Sequence, residues 1–168
     1  MLFRSDNKTA VDTNARPAVG TGHARMRYHR ARVLIPATGT TAADVIRLFT
    51  MKSADRIFEL LVTSDGAGTA LVCDLGLHRT GGPLHDGAVL DQDIFASLLA
   101  VNAAIARVDE FVEAGTLEQE DRGKQIWEYD GLGFTSDPNI QVDVTMTVTT
   151  ANTTAANEII VEAYFSGV

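Results

Sequence analysis

The stretch CDLGLHRTGGPLHDG, residues 73 to 87, gathers the only cysteine, two of the four histidines and two aspartates. Thiolate, imidazole and carboxylate are the groups of zinc sites and of activated nucleophiles. The spacing argues against both. Leu71, Cys73, Leu75 and Leu77 alternate with Val72, Asp74 and Gly76, the period of a strand with one buried face. Cys73 then points into the core, where a thiol behaves as a small inert hydrophobe. Asp74 points away from it, so the two share no ligand sphere. His78 falls on Asp74's side but four residues along, too far for joint coordination on an extended strand. His85 and Asp86 share the loop TGGPLHDG without the third ligand a closed zinc site needs. The stretch reads as one strand and the turn into the next.

Nothing else in the chain assembles a reaction centre. The histidines stand at 23, 29, 78 and 85, so the His-x-His pair of a cupin-type metal site is missing. Ser97, in FASLL, lacks the flanking glycines of a nucleophile elbow, and no phosphate loop or zinc-protease motif occurs. Asp109, Glu110, Glu113, Glu118, Glu120 and Asp121 crowd DEFVEAGTLEQED, but the alternating Asp/Asn spacing and pivotal glycine of a calcium loop are absent. That segment reads as a solvated loop. Trp127 is the only tryptophan, and next to KQI and EY it reads as a core anchor, not a platform for stacking sugars. The expectation is a protein with no catalytic residue, no metal and no cofactor, hence not an enzyme.

The elements behind these residues are short and mostly β. RYHRARVLI, DVIRLFTM, RIFELLVT and ALVCDLGL are separated by turn signals, of which SDGAGT is the clearest. In IQVDVTMTVTT, Ile140, Val142, Val144, Met146 and Val148 share one face, and with EIIVEAYF this segment reads as a β-hairpin. DIFASLLAVNAAIARVDEFVEAG fits a short helix or a strand, and EDRGKQIWEYDGLG fits one helical turn closed by Gly131. Many short strands without long helices predict an all-β fold, an antiparallel β-sandwich of jelly-roll type with at most one or two short helices.

Charge divides the chain. Residues 1–32 carry Arg4, Lys8, Arg16, Arg25, Arg27, Arg30 and Arg32 against Asp6 and Asp12, whereas residues 33–168 hold seven basic and twenty acidic residues. The expected organisation is a basic, extended N-terminal arm over 1–32 and a β-sandwich domain over 33–168. An acidic body is repelled by nucleic acid and by anionic membranes. No apolar run reaches the ~20 residues of a membrane helix. One cysteine excludes an intramolecular disulfide framework.

The order of motifs resembles a family of small structural proteins of tailed bacteriophages, the capsid decoration or cement proteins encoded among the head genes. The matching pieces are Asp44 to Leu48, Asp74 to Leu77, Gly81 and Gly82, Asp91 to Ser97, Trp127 to Leu132, and residues 140 to 165. The basic arm is a departure from that pattern. The resemblance implies a virion protein on the capsid surface, made in the host cytoplasm and often a homotrimer, that binds the major capsid protein and stabilises the assembled head. A neck or tail structural protein, or a carbohydrate- or receptor-binding module, are the alternatives. On this reading Arg16, Arg25, Arg27, Arg30 and Arg32 are the partner-binding residues, because guanidinium groups bond carboxylates in bidentate fashion.

Overall fold

A computed structural model describes residues 26–36, 40–66, 70–81, 87–151 and 156–167. These form eight strands: β1 (Met26–Ile35), β2 (Val45–Lys52), β3 (Arg56–Ser64), β4 (Val72–Arg79), β5 (Val89–Leu99), β6 (Ile105–Asp109), β7 (Gln141–Thr150) and β8 (Asn157–Ser166). They build two antiparallel four-stranded sheets, ordered β1-β8-β3-β6 and β2-β7-β4-β5. No α-helix occurs among the described residues, only two 3-10 turns at Gln119–Asp121 and Ile126–Glu128.

The pairing has a simple logic. β1 pairs with β8, β2 with β7, β3 with β6 and β4 with β5. The chain is thus one long antiparallel ribbon folded back on itself between β4 and β5, then rolled so that β3 also meets β8 and β4 meets β7. That is the jelly roll, as the sequence pattern predicts. Residues 73–81 lead into the fold-back of this ribbon. There the Arg79 N–H donates to the Ala88 carbonyl at 2.8 Å. His85 and Asp86 lie outside the described residues.

The core sits between the sheets and takes the inward face of each strand: Ile57, Leu60 and Val62 from β3, Cys73, Leu75 and Leu77 from β4, Val142 to Val148 at every second position of β7, and Ile159 to Phe165 likewise on β8. Cys73 is fully buried as expected, and desolvation pushes its thiol pKa up to about 12.

Two expectations need correction, and one open choice is resolved. β7 and β8 do not form a hairpin; they lie in opposite sheets. Alternation fixes which way a side chain points but not which strand lies beside it. The segment 93–115 that fitted helix or strand takes the strand reading: it holds the end of β5 and all of β6. Finally, residues 26–32, expected in the arm, belong to β1. His29, Ala31, Val33 and Ile35 face inward beside β8, while Arg30 and Arg32 sit opposite Glu162 and Ile160 on the outer face. The arginine density that marked an arm is here the polar face of a strand. Residues 1–25, with Arg16 and Arg25, lie outside the described residues.

Candidate partner-binding surfaces

Arg30 and Arg32 project from the outer face of the β1-β8-β3-β6 sheet and already meet carboxylates of this chain. Arg32 bonds Glu158 at 2.5 Å, and Arg30 lies 4.0 Å from Glu162. Arg107 of β6 reaches Glu162 from the far side at 3.0 Å, while the Tyr28 hydroxyl donates to the same carboxylate. The Tyr28 and Arg107 bonds hold Glu162 below the usual carboxylate range, and the Arg32 bond does the same for Glu158. The tyrosine ring also packs on Tyr164, with centroids 5.2 Å apart. This face is an open ladder of ion pairs, and three of its cations, Arg30, Arg32 and Arg107, remain exposed.

Arg27 points the other way along the same strand. It borders an open cleft of about 600 Å³ between the β1 and β2 edges, together with Met51, Lys52, Asp55 and Phe165. His29 closes the back of this cleft, stacked 4.6 Å from the Phe165 ring and 5.2 Å from Phe49. Desolvation lowers its pKa. Of the predicted contact residues, the structure therefore gathers Arg27, Arg30 and Arg32 on one edge strand but on two different faces.

The opposite edge of the sandwich was not singled out by sequence reasoning. β5 spends eleven residues, Val89 to Leu99, on the length that β4 covers with six, Cys73 to His78. The surplus bulges over Gly76, where a Cβ would lie only 2.1 Å from the Gln92 carbonyl oxygen. Buried Asp74 anchors the bulge: one carboxylate oxygen accepts the Leu98 N–H at 2.8 Å, the other the Gln92 side-chain amide at 2.7 Å. Leu98 itself adopts φ +53°, a region disfavoured for its side chain, and stands 66% exposed. The signal for this feature is Gly76 itself, a glycine inside a strand, which marks close backbone approach.

The remaining candidates are structural. Trp127 is only half-buried, its indole N–H donating to Gln125 at 2.8 Å; the anchors of this segment are its neighbours Ile126 and Tyr129. Tyr129 packs edge-on against Phe95 and Phe111. The acidic loop is less solvated than its composition suggests. Glu110 and Asp121 are buried, Lys124 bonds Asp121 at 2.7 Å, and Arg122 bonds Asp109 at 2.7 Å. Among the described residues no three His, Cys, Asp or Glu side chains are grouped to hold a metal ion.

No protein-family model matches the sequence, and no curated protein does so either. Solved structures share the fold. A chain in the capsid asymmetric unit of cyanophage Pam1 superposes with a TM-score of 0.51 at 14% identity, over 90% of this chain and 91% of its own. A chain in the capsid of Ralstonia phage GP4 gives a TM-score of 0.53, also at 14% identity, over 86% of both.

Proposed function

We propose that this chain is a structural protein of a bacteriophage virion, a decoration protein that binds the major capsid protein and stabilises the assembled head. It acts by binding, not by catalysis. The observation that supports this reading best is the likeness, over most of its length, to whole chains in two phage capsid structures. The motif order across residues 36–165 points the same way. A clamp of this kind stabilises by mass action, because it binds the assembled shell and not loose subunits. The exposed faces and edges of a jelly roll offer several neighbours a contact at once, and a homotrimer is the expected form. Residues 1–25 then serve as an attachment arm, which requires a real interface with the shell, on the order of 1,000 Å² in total.

The test is to add the purified protein to capsids that lack it and image them by cryo-electron microscopy. Regular density over the shell is the expected result. Density at a single vertex would move the protein to the neck, and no density would reject the capsid reading. A chain lacking residues 1–24 keeps β1 whole, so it should fold normally and bind the shell more weakly. Undiminished binding by that variant would remove the arm from the mechanism.

A further inference from the structure

We propose that copies of this chain associate side to side, the β1/β2 side of one against the β5/β6 side of the next. The proposal deepens the homo-oligomeric part of the functional reading and rests on it. Three observations carry it.

The first is where apolar surface is left open. Among the described residues the exposed large hydrophobic side chains are Met26, Tyr28, Leu34, Val45, Val89, Leu98 and Val108. All of them lie on β1, β2, β5 or β6, the four edge strands. Edge strands are more open by geometry, so this alone does not choose a partner.

The second observation is charge. β1 and β2 carry Arg27, Arg30, Arg32, Arg47 and Lys52 and no carboxylate. The opposite side carries Asp91 and Asp93 on β5 and Asp109 on β6, with Arg107 as the one cation on those two strands; the connection beside them adds Glu113 and Asp130, and its own cations Arg122 and Lys124 are already paired with Asp109 and Asp121. A basic side and an acidic side on one molecule are complementary to each other and not to themselves. Such a contact is heterologous, head to tail, and closes into a ring when the rotation between copies allows it.

The third is the match along the height of the sandwich. Arg27 and Lys52, with Met26 and Tyr28, lie at the end where β1 starts and β2 ends. Val89 lies at that same end of the other side, level with Thr50 across β4 and β7, while Asp93 stands nearer mid-height, level with Arg47, and Val108 level with Ala31. At the far end Leu34 and Val45 stand level with Leu98. Flat strand-to-strand addition is blocked on the acidic side, since Leu98 and Arg107 break β5 and β6 with positive φ. Side chains must therefore make the contact, and the Asp74-held bulge presents Leu98 to do so.

Sedimentation velocity over a concentration series tests this. The wild type should assemble reversibly. Leu98→Asp, the pair Arg27→Glu with Lys52→Glu, and the pair Asp93→Lys with Glu113→Lys should each weaken association by on the order of tenfold or more. Each should keep the wild-type circular dichroism, because the altered side chains are at least partly exposed. Mixing the two charge-reversed proteins should restore association. A wild type that stays monomeric throughout would overturn the proposal, as would an oligomer indifferent to both reversals. Capsid imaging separates the two readings: a monomer that still decorates shells sinks only this inference, whereas an oligomer that binds no shell sinks only the capsid role.

Discussion

The two sheets each turn an alternating polar face away from the core, and the two faces end up in opposite states. On β7 and β4, Asp143, Thr145, Thr147, Asp74 and His78 are all buried. Asp143 is held by Arg47 at 3.0 Å and by the hydroxyls of Thr50 and Thr80, while His78 Nδ1 lies 2.8 Å from the Thr145 hydroxyl. On β1 and β8, by contrast, Tyr28, Arg30 and Arg32 stay exposed around Glu158 and Glu162. Strand length explains part of the difference. The eleven residues of β5 bulge across β4, whereas β6, with five, leaves its sheet uncovered. Alternation therefore sorts residues by face, and the backbone lying over a face decides whether it becomes structure or surface.

The sharpest way to break this comparison is to force the closed face open. Gly76→Val sets a side chain where the Gln92 carbonyl already sits, and only backbone movement relieves the clash. We expect a loss of about 3 kcal/mol or more, the upper end for overpacking, read from the urea midpoint. Thr63→Val, on the open face of β3, should change stability by less than about 0.5 kcal/mol. Similar effects at the two positions would mean that β5 does not lie over β4.

A gentler probe is pH. Desolvation on the closed face lowers the His78 pKa below its usual value, and the opposing pull of Asp143 does not restore it. The unfolded chain therefore takes up this proton first. Stability should be full above the ordinary histidine pKa of about 6.5 and decline as pH falls below it, until the folded pKa is reached. His29, half-buried between two rings, adds to the same trend. His78→Gln should make the urea midpoint fall less steeply between pH 7 and about 5.5. An unchanged slope would show that His78 is not shut away from water.

Much of this was legible in the residues. Val142 to Val148 and Cys73 to Leu77 declare their buried faces by period alone, and six short strand segments without a long helix leave few architectures besides a sandwich. Other features were hidden for physical reasons. The extra residues of β5 look helical, since Ile94, Leu98, Ile105 and Val108 recur near helical spacing, and a bulged strand breaks the period of two. Trp127 outweighs Ile126 and Tyr129 in size but not in burial, because a 3-10 turn can send only part of its side chains inward. Arg30 and Arg32 looked like arm residues because their carboxylate partners lie more than a hundred residues away, on β8.

The smallest effect is expected on the open face, and it bears most directly on function. Glu162→Gln keeps the shape of the side chain and removes the charge that Tyr28, Arg30 and Arg107 share. Exposed pairs contribute little, so the melting temperature should move by no more than about 2 °C, and added salt should narrow even that gap. A large, salt-insensitive loss would mean that this face is as closed as the other. The same change relieves Arg30 and Arg107 of their internal carboxylate, leaving both guanidinium groups to an acidic partner. If this face meets the shell, the variant should bind capsids more tightly and with a steeper salt dependence while its stability stays almost unchanged. Binding unaltered in both respects would leave the open face out of the contact and turn attention to the two edges.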